Sequence, residues 1–199
     1  MPENRLEQLT TSAEKAFMKF GIKALSMMDV ATNLGVSKKT LYKFFSGKSH
    51  LVQHVIQCHC KASKEEMGHL VANAENAVDE IIAITALIQF KIRGMHPSLL
   101  FDLEKFHPEA FAFITEHKQK TLRGILLTNL MRGQKEGVYR ADFDPNLIIS
   151  FHMAAIEYFS NPTHVIETGI DLSDVQGEFY RYHIRGIASD RGLEILKSK

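Results

Sequence analysis

Apolar residues return every three or four positions along almost the whole chain, which is the period of a helix with one buried face. Leu6, Leu9, Ala13, Ala16, Phe17 and Phe20 predict a first helix over 4–20, stopped by Gly21. Shorter patterns over 27–34 and 38–44 flank a tight turn at Gly35, and Ser37 is placed to cap the second of them. A fourth helix opens at Ser46 or Gly47, carries Leu51, Val55 and Ile56, and runs to about 68. Further helices are expected over 75–93, 98–105, 109–135, 145–160 and 172–188. Pro97, Pro108, Pro145 and Pro162 lie near starts or connections, where a missing amide costs least. The stretch 133–145 is the clearest loop. No regular alternation marks a strand and no internal repeat is visible, so the fold class is all-α.

Two late segments carry more apolar surface than a small monomer easily hides. Residues 147–159 are apolar nearly all round, with Ser150 and Glu157 sharing one narrow polar face. The last predicted helix sets Leu172, Val175, Phe179, Tyr182 and Gly186 in a near-heptad seam. Either both helices are core, or they pair with the same two helices of a second copy through Leu147, Phe151, Phe159, Leu172, Val175, Phe179 and Tyr182.

Charge sharpens the reading of the N-terminal end. The chain is nearly neutral at +1, yet residues 1–60 hold eight Lys/Arg against four Asp/Glu, and the rest hold 16 against 19. Lys38, Lys39, Lys43 and Lys48 follow one another with no carboxylate between them. A short helix, a glycine turn and a second short basic helix make a helix-turn-helix, whose second helix can enter a DNA major groove. Leu41, Phe44 and Phe45 can pack back on Phe17, Val30, Leu34 and Val36, which leaves Lys38, Lys39, Thr40, Tyr42 and Lys43 towards solvent. Lysines there neutralise phosphates, Thr40 suits a base edge or a thymine methyl, and Tyr42 offers a hydroxyl to phosphate. Lys48 adds charge beside the free amides that open the fourth helix.

Residues 5–56 are similar to the DNA-binding domain of TetR-family transcriptional regulators. The motifs that carry the resemblance run in order: Ala13, Ala16, Phe17 and Gly21; Val30 with Ala31; Gly35, Val36 and Ser37; Thr40, Leu41 and Tyr42; the aromatic pair Phe44 and Phe45; then Lys48 and Leu51. The Gly-Val-Tyr-Arg stretch at 137–140 resembles the family's connection into its dimerisation helices, less specifically. Two positions depart from the family's habit. Met27 and Met28 stand where threonines usually touch phosphate, which leaves that contact to Ser26 or to backbone amides. Lys39 replaces a small residue and adds a possible phosphate contact.

The resemblance implies a three-helix helix-turn-helix domain over 1–50 and a larger helical effector-binding and dimerisation domain over 51–199. It implies Ser26, Ser37, Lys38, Lys39, Thr40, Tyr42, Lys43 and Lys48 on the DNA side. The partners it implies are a double-stranded DNA operator, a second copy of the chain and an unknown small-molecule effector. A homodimeric repressor, less often an activator, would set its recognition helices about 34–36 Å apart. An effector would tilt the fourth helix and so bias DNA affinity.

For that effector the pattern offers Thr85, Gln89 and Arg93, one polar stripe flanked by Ile81, Ile88, Ile92 and Ile82. The same stripe also fits a narrow solvent face. Phe90, Phe101, Phe106 and Phe111 read as core more than pocket. His152, the lone polar residue on its side of a greasy helix, is a ligand contact or a core or interface histidine. His54, Cys58, His59 and Cys60 cannot surround one ion, because Cys60 lies about 200° round a helix from Cys58, so no metal or other cofactor is expected. Two cysteines build no disulfide framework, the N-terminus has no apolar signal core, and no apolar run reaches the roughly 18 residues of a membrane span. A cytoplasmic protein without membrane partners is expected. No serine elbow, phosphate loop, HExxH or EF-hand pattern points to an enzyme, and the alternative reading is a helical enzyme or a metal or redox sensor without a recognisable catalytic motif.

Overall fold

The computed structural model describes residues 2–159, 161 and 171–198. The described helices are α1 (Pro2–Phe20), α2 (Met27–Asn33), α3 (Lys38–Phe44), α4 (Lys48–Asn73), α5 (Ala77–Arg93), α6 (Leu99–Phe106), α7 (Pro108–Glu136), α8 (Pro145–Phe159), α9 (Leu172–Ile187) and α10 (Asp190–Lys197). Among the described residues there is no strand, only an isolated bridge between Tyr139 and Ala188. Ser160 and Pro162, the expected end of the 145–160 helix and the proline after it, lie outside the described residues. The expected helices are present. The fourth runs on to Asn73, and α10 is one that periodicity did not predict.

The chain forms two compact units: Met1–Ser63 with Gly94–His117, and Lys64–Arg93 with Lys118–Lys199. In the first, Leu9, Ala13, Phe17, Val30, Ala31, Leu41, Phe45, Leu51, Val52 and Val55 form one buried cluster, which Leu99, Leu103 and Ala110 join. The inward sides of α1, α2 and α3 therefore meet as the spacing required. Burying those side chains is the main favourable term for so short a pair of helices, since a seven-residue helix is marginal alone.

In the second unit Val78, Ile81, Leu122, Leu126, Leu130, Tyr139, Ile149, Met153, Ile156, Tyr180, Ile184 and Ile187 cluster. A buried charge sits beside them. Glu80 accepts from Arg132 Nη1 at 2.9 Å, while Arg132 Nε binds Glu136 at 2.6 Å and its Nη2 donates to Ala74 O at 3.0 Å. Glu136 also accepts from the Ala77 amide at 2.8 Å, so the half-buried Arg132 ties the buried Glu80 to the start of α5 and the end of α7. The connection 137–140 is held by the chain's far end. Arg140 N donates to Ile187 O at 2.8 Å and Ser189 N to Val138 O at 3.0 Å. Ser189 caps α10, and Gly192 passes so close to the Val138 carbonyl that a Cβ there would fall 2.0 Å from it. These contacts, rather than an eight-residue pattern, hold α10.

Candidate nucleic-acid interface

The basic face is assembled from two capped helices and the turn between them. Ser26 caps α2 in a reciprocal box: its Oγ accepts from Asp29 N at 3.2 Å, and its own N donates to Asp29 Oδ2 at 2.8 Å. The same hydroxyl donates to that carboxylate at 2.6 Å. These bonds, the hydroxyl's first, hold the Asp29 carboxyl below the usual range. The hydroxyl expected to meet a phosphate is therefore committed to the cap, with an anion beside it. Of the two methionines, Met27 is buried and Met28 exposed.

Gly35 ends α2 with φ 63°, a left-handed turn that L side chains rarely adopt. Val36 N donates to Ala31 O at 3.0 Å and Gly35 N to Thr32 O at 3.0 Å, the paired closure of a Schellman motif. Ser37 then caps α3 by accepting from Thr40 N at 3.0 Å, and its hydroxyl lies 2.8 Å from Thr40 Oγ1. Leu41 and Phe45 are buried behind the helix. Ser37, Lys38, Lys39, Tyr42 and Lys43 are exposed, and Thr40 is half-buried. Lys38 Nζ stands 5.7 Å from the centre of the Tyr42 ring, which braces the ring by a cation–π contact. An acid-free cationic helix, backed by apolar side chains and rigid at its start, suits a polyanion.

Lys48 is different from the other lysines. It is half-buried, its Nζ lies 3.4 Å from Lys23 O, and burial lowers its pKa while Asp102 and Asp29 support its charge. At the turn before α4, Ser46 N donates to His50 Nδ1 at 3.2 Å, and the His50 ring meets Phe45 edge-on at 5.8 Å. His59 Nδ1 pairs with Glu14 at 2.6 Å, joining α4 to α1. The sequence reading missed Asp29, although its place three residues after Ser26 is the spacing of a capping box. His50 and Asp102 gave no such signal, because their roles depend on neighbours brought by the fold.

Of the expected effector residues, Gln89 and His152 lie against α9, while Thr85 and Arg93 do not. Thr85 Oγ1 donates to Ile81 O at 2.7 Å within its own helix. Gln89 Nε2 donates to Ser173 O at 3.2 Å and lies where a side chain on Gly177 would be. Arg93 is exposed, and its charge adds a minor part to the lowering of Asp171, which caps α9 and is held down first by Ser173. His152 is 1% exposed, and neither ring nitrogen has a hydrogen-bond partner among the described residues. Phe179, Tyr180 and His183 of α9 surround it at ring distances of 4.9, 5.2 and 4.4 Å. Burial, then His183, pushes His152 down to about 3, and burial pushes His183 down to about 4.

On α8, Leu147 and Phe151 are 60% and 70% exposed, and Tyr158 lies further along the same face; Tyr182 on α9 is 80% exposed. Phe159, Leu172, Val175 and Phe179 are half-buried. Tyr158 was missed by the sequence reading.

Cys58 Sγ lies 3.6 Å from His54 Nε2, while Cys60 is buried. Burial pushes the Cys58 thiol up and Cys60 up to about 11, away from thiolate reactivity. Among the described residues no three His, Cys, Asp or Glu side chains are grouped to hold a metal, and no helix is long and apolar enough to cross a membrane.

Residues 9–55 match the family model described as bacterial regulatory proteins, tetR family. The chain is 24% identical over 172 residues to the uncharacterized HTH-type transcriptional regulator YvaF of Bacillus subtilis (strain 168), a match covering 84% of this chain and 87% of that protein. It is 22% identical over 159 residues to the HTH-type transcriptional repressor KstR2 of Mycolicibacterium smegmatis, covering 75% of each. A solved structure of a putative transcriptional regulator from Saccharomonospora viridis, in complex with choline, has a similar fold. The TM-score is 0.74 at 15% identity, over 94% of this chain and 99% of that one.

Proposed function

We propose that this chain is a DNA-binding transcriptional regulator of the tetR family, and within it a homodimeric repressor that releases its operator when a small molecule binds its C-terminal part. The observation that carries the proposal is α3. Its capped, acid-free helix turns Lys38, Lys39, Tyr42 and Lys43 outward while Leu41 is buried behind it. We assign DNA contact to Ser37, Lys38, Lys39, Thr40, Tyr42 and Lys43. Ser26 and Lys48 act from positions already engaged by Asp29 and Lys23.

Residues 1–50 serve as the DNA-binding domain and 51–199 as the effector-binding and dimerisation domain. Similarity to a named repressor and to a choline-bound regulator supports repression and a small-molecule signal. Gln89 and His152, both against α9, are the best-supported effector contacts, with Thr85 and Arg93 beside Gln89 on α5. The exposed apolar row Leu147, Phe151 and Tyr158, with Tyr182, supports pairing of α8 and α9 between two copies. The protein acts on DNA in the cytoplasm and performs no catalysis.

Gel shift with the duplex upstream of its own coding sequence, paired with native mass spectrometry of freshly purified protein, tests the proposal. A retarded dimeric complex that a co-purified molecule dissociates is expected. Failure to retard any duplex from a random-sequence library would end it.

A further inference from the structure

The corner between α1 and α2 is held by a residue about eighty positions away. Gly21 ends α1 with φ 77°, and a Cβ there would meet Ser98 Oγ at 2.9 Å and Asp102 Oδ2 at 3.3 Å. Past Gly21, the amides of Ile22 and Lys23 both donate to Asp102 Oδ2, at 3.0 and 2.8 Å. Ser98 Oγ donates to the same oxygen at 3.2 Å and lies 3.0 Å from His96 Nδ1. His96 N in turn donates to Met18 O at 2.8 Å, on the last turn of α1. Segment 96–102 thus closes over the end of α1 through backbone groups, whichever side chains occupy positions 22 and 23.

Asp102 is buried, 3% exposed, and Ile22 is buried with it. The buried Ile22 amide needs a partner, and among the described residues Asp102 supplies it, as it does for the amide of the exposed Lys23. Asp102 Oδ2 is likewise satisfied inside the fold, by two amides and a hydroxyl, with the Lys48 ammonium as its nearby countercharge. The carboxylate is a structural anion in a small nest of donors, already filled, and not a vacant ligand site.

We infer that Asp102 is a positioning residue for operator binding: by accepting both corner amides it sets the direction in which the chain enters α2, and so the placement of α3. The inference rests on the DNA-binding reading above. α2 begins at Met27, a short step beyond the corner, fastened at its start by the Ser26–Asp29 capping box and at its end by the Gly35 turn. An error at Lys23 is therefore carried to α3 rather than absorbed. One head on arbitrary duplex tolerates such an error, because phosphates are everywhere along it. Two heads on one operator do not, because the half-sites have a fixed separation. Loss of Asp102 should therefore reduce specific binding more than non-specific binding.

The test uses the full chain, with Asp102→Ala and Asp102→Asn beside wild type. Each is titrated by fluorescence anisotropy against a duplex that the wild type enriches from a random library, and against a scrambled duplex. Asn keeps an acceptor oxygen of the same reach and removes the charge. Asp102→Ala is expected to lower the ratio of specific to scrambled affinity at least about tenfold. Asp102→Asn is expected to stay within about threefold of wild type. Hydrogen exchange at the Ile22 and Lys23 amides should quicken in the Ala variant only.

An unchanged ratio in Asp102→Ala overturns the inference. So does a proportional fall in both affinities, which a loss of folded protein alone would give, and so does an Asn variant as impaired as Ala. Should the Ala variant not fold, the Asn variant decides: a kept ratio with protected corner amides supports the role, and a kept ratio with unprotected ones overturns it. A wild type that enriches no duplex would instead defeat the DNA-binding reading itself, a separate and recognisable result.

Discussion

Gly133 and Tyr139 share one space: a Cβ built on Gly133 would fall 2.0 Å from Cδ2 of the Tyr139 ring. The ring is buried, and its hydroxyl sits 3.0 Å from Ala77 O and 2.9 Å from Asn129 Oδ1, donating within that pair. The glycine lets the end of α7 and the connection after it close on α5. Gly133→Ala should cost about 1–3 kcal/mol by overpacking, and lower the midpoint of thermal unfolding by about 3–10 °C. Tyr139→Phe keeps the ring and strands Asn129 Oδ1, a loss of about 1–3 kcal/mol. Circular dichroism melts of both variants check this, and a wild-type midpoint for Gly133→Ala would contradict the contact.

His152 and His183 make stability depend on mild acid. Burial holds both below the ordinary histidine value, to about 3 and about 4, so between those values and about 6.5 the unfolded chain binds protons that the folded chain does not. Stability then rises with pH through that window and is lost as pH falls below about 6.5, at roughly 1.4 kcal/mol per pH unit for each group. His54 and His107, also lowered by burial, act in the same direction. His152→Phe should flatten the slope and leave the protein at least as stable at pH 7.5, since it removes two unpartnered nitrogens. Urea unfolding at about pH 7.5, above this window, and at about pH 6 and 5, inside it, measures the slope. An equal slope in both proteins would show that His152 titrates normally.

Lys38 and Lys43 should report directly on phosphate. Replacing either by Ala is expected to weaken operator binding and make the salt dependence shallower by about 0.9 per lost contact in each subunit. Lys48→Ala should change the salt slope less, because that ammonium is already drawn to Lys23 O. Tyr42→Phe should lower affinity with the fold intact. Anisotropy titrations over a range of salt separate these, and a Lys48 slope change equal to that of Lys38 would place Lys48 on the DNA.

The proposed dimer can be separated from the core by two charges. Phe151 is largely exposed, so Phe151→Asp should yield folded monomers in sedimentation. Phe179 packs on His152 at 4.9 Å, and Phe179→Asp should in addition cost about 2–3 kcal/mol of stability. A Phe151→Asp protein that stays dimeric would move the interface off this face.

Much of the DNA-side architecture was legible because its causes are local. Gly21 and Gly35 end helices at positive φ, Ser26 and Ser37 open them, and Leu41 with Phe45 turns inward; all lie within one or two turns of what they act on. The run of α4 on to Asn73 was hidden by a polar stretch with Gly68 inside it. α10 was hidden because eight residues give period analysis too little to work with, while its support comes from Val138 and the cap Ser189. Thr85, Gln89 and Arg93 share a face as expected. Where that face points, Gln89 onto Ser173, could not be read from the face itself.

Alone, then, the order of residues determined helix type, caps, turns and the cationic character of α3, since each follows from spacing and side-chain chemistry within about a dozen positions. The folded chain alone decided that Asp102 would hold the Ile22–Lys23 corner, that Lys48 would lean on that corner, and that His152 would be sealed among rings without a partner. Those relationships join residues far apart in the chain. Hydrogen bonds and desolvation act through space, and distance in space is set only when the helices pack.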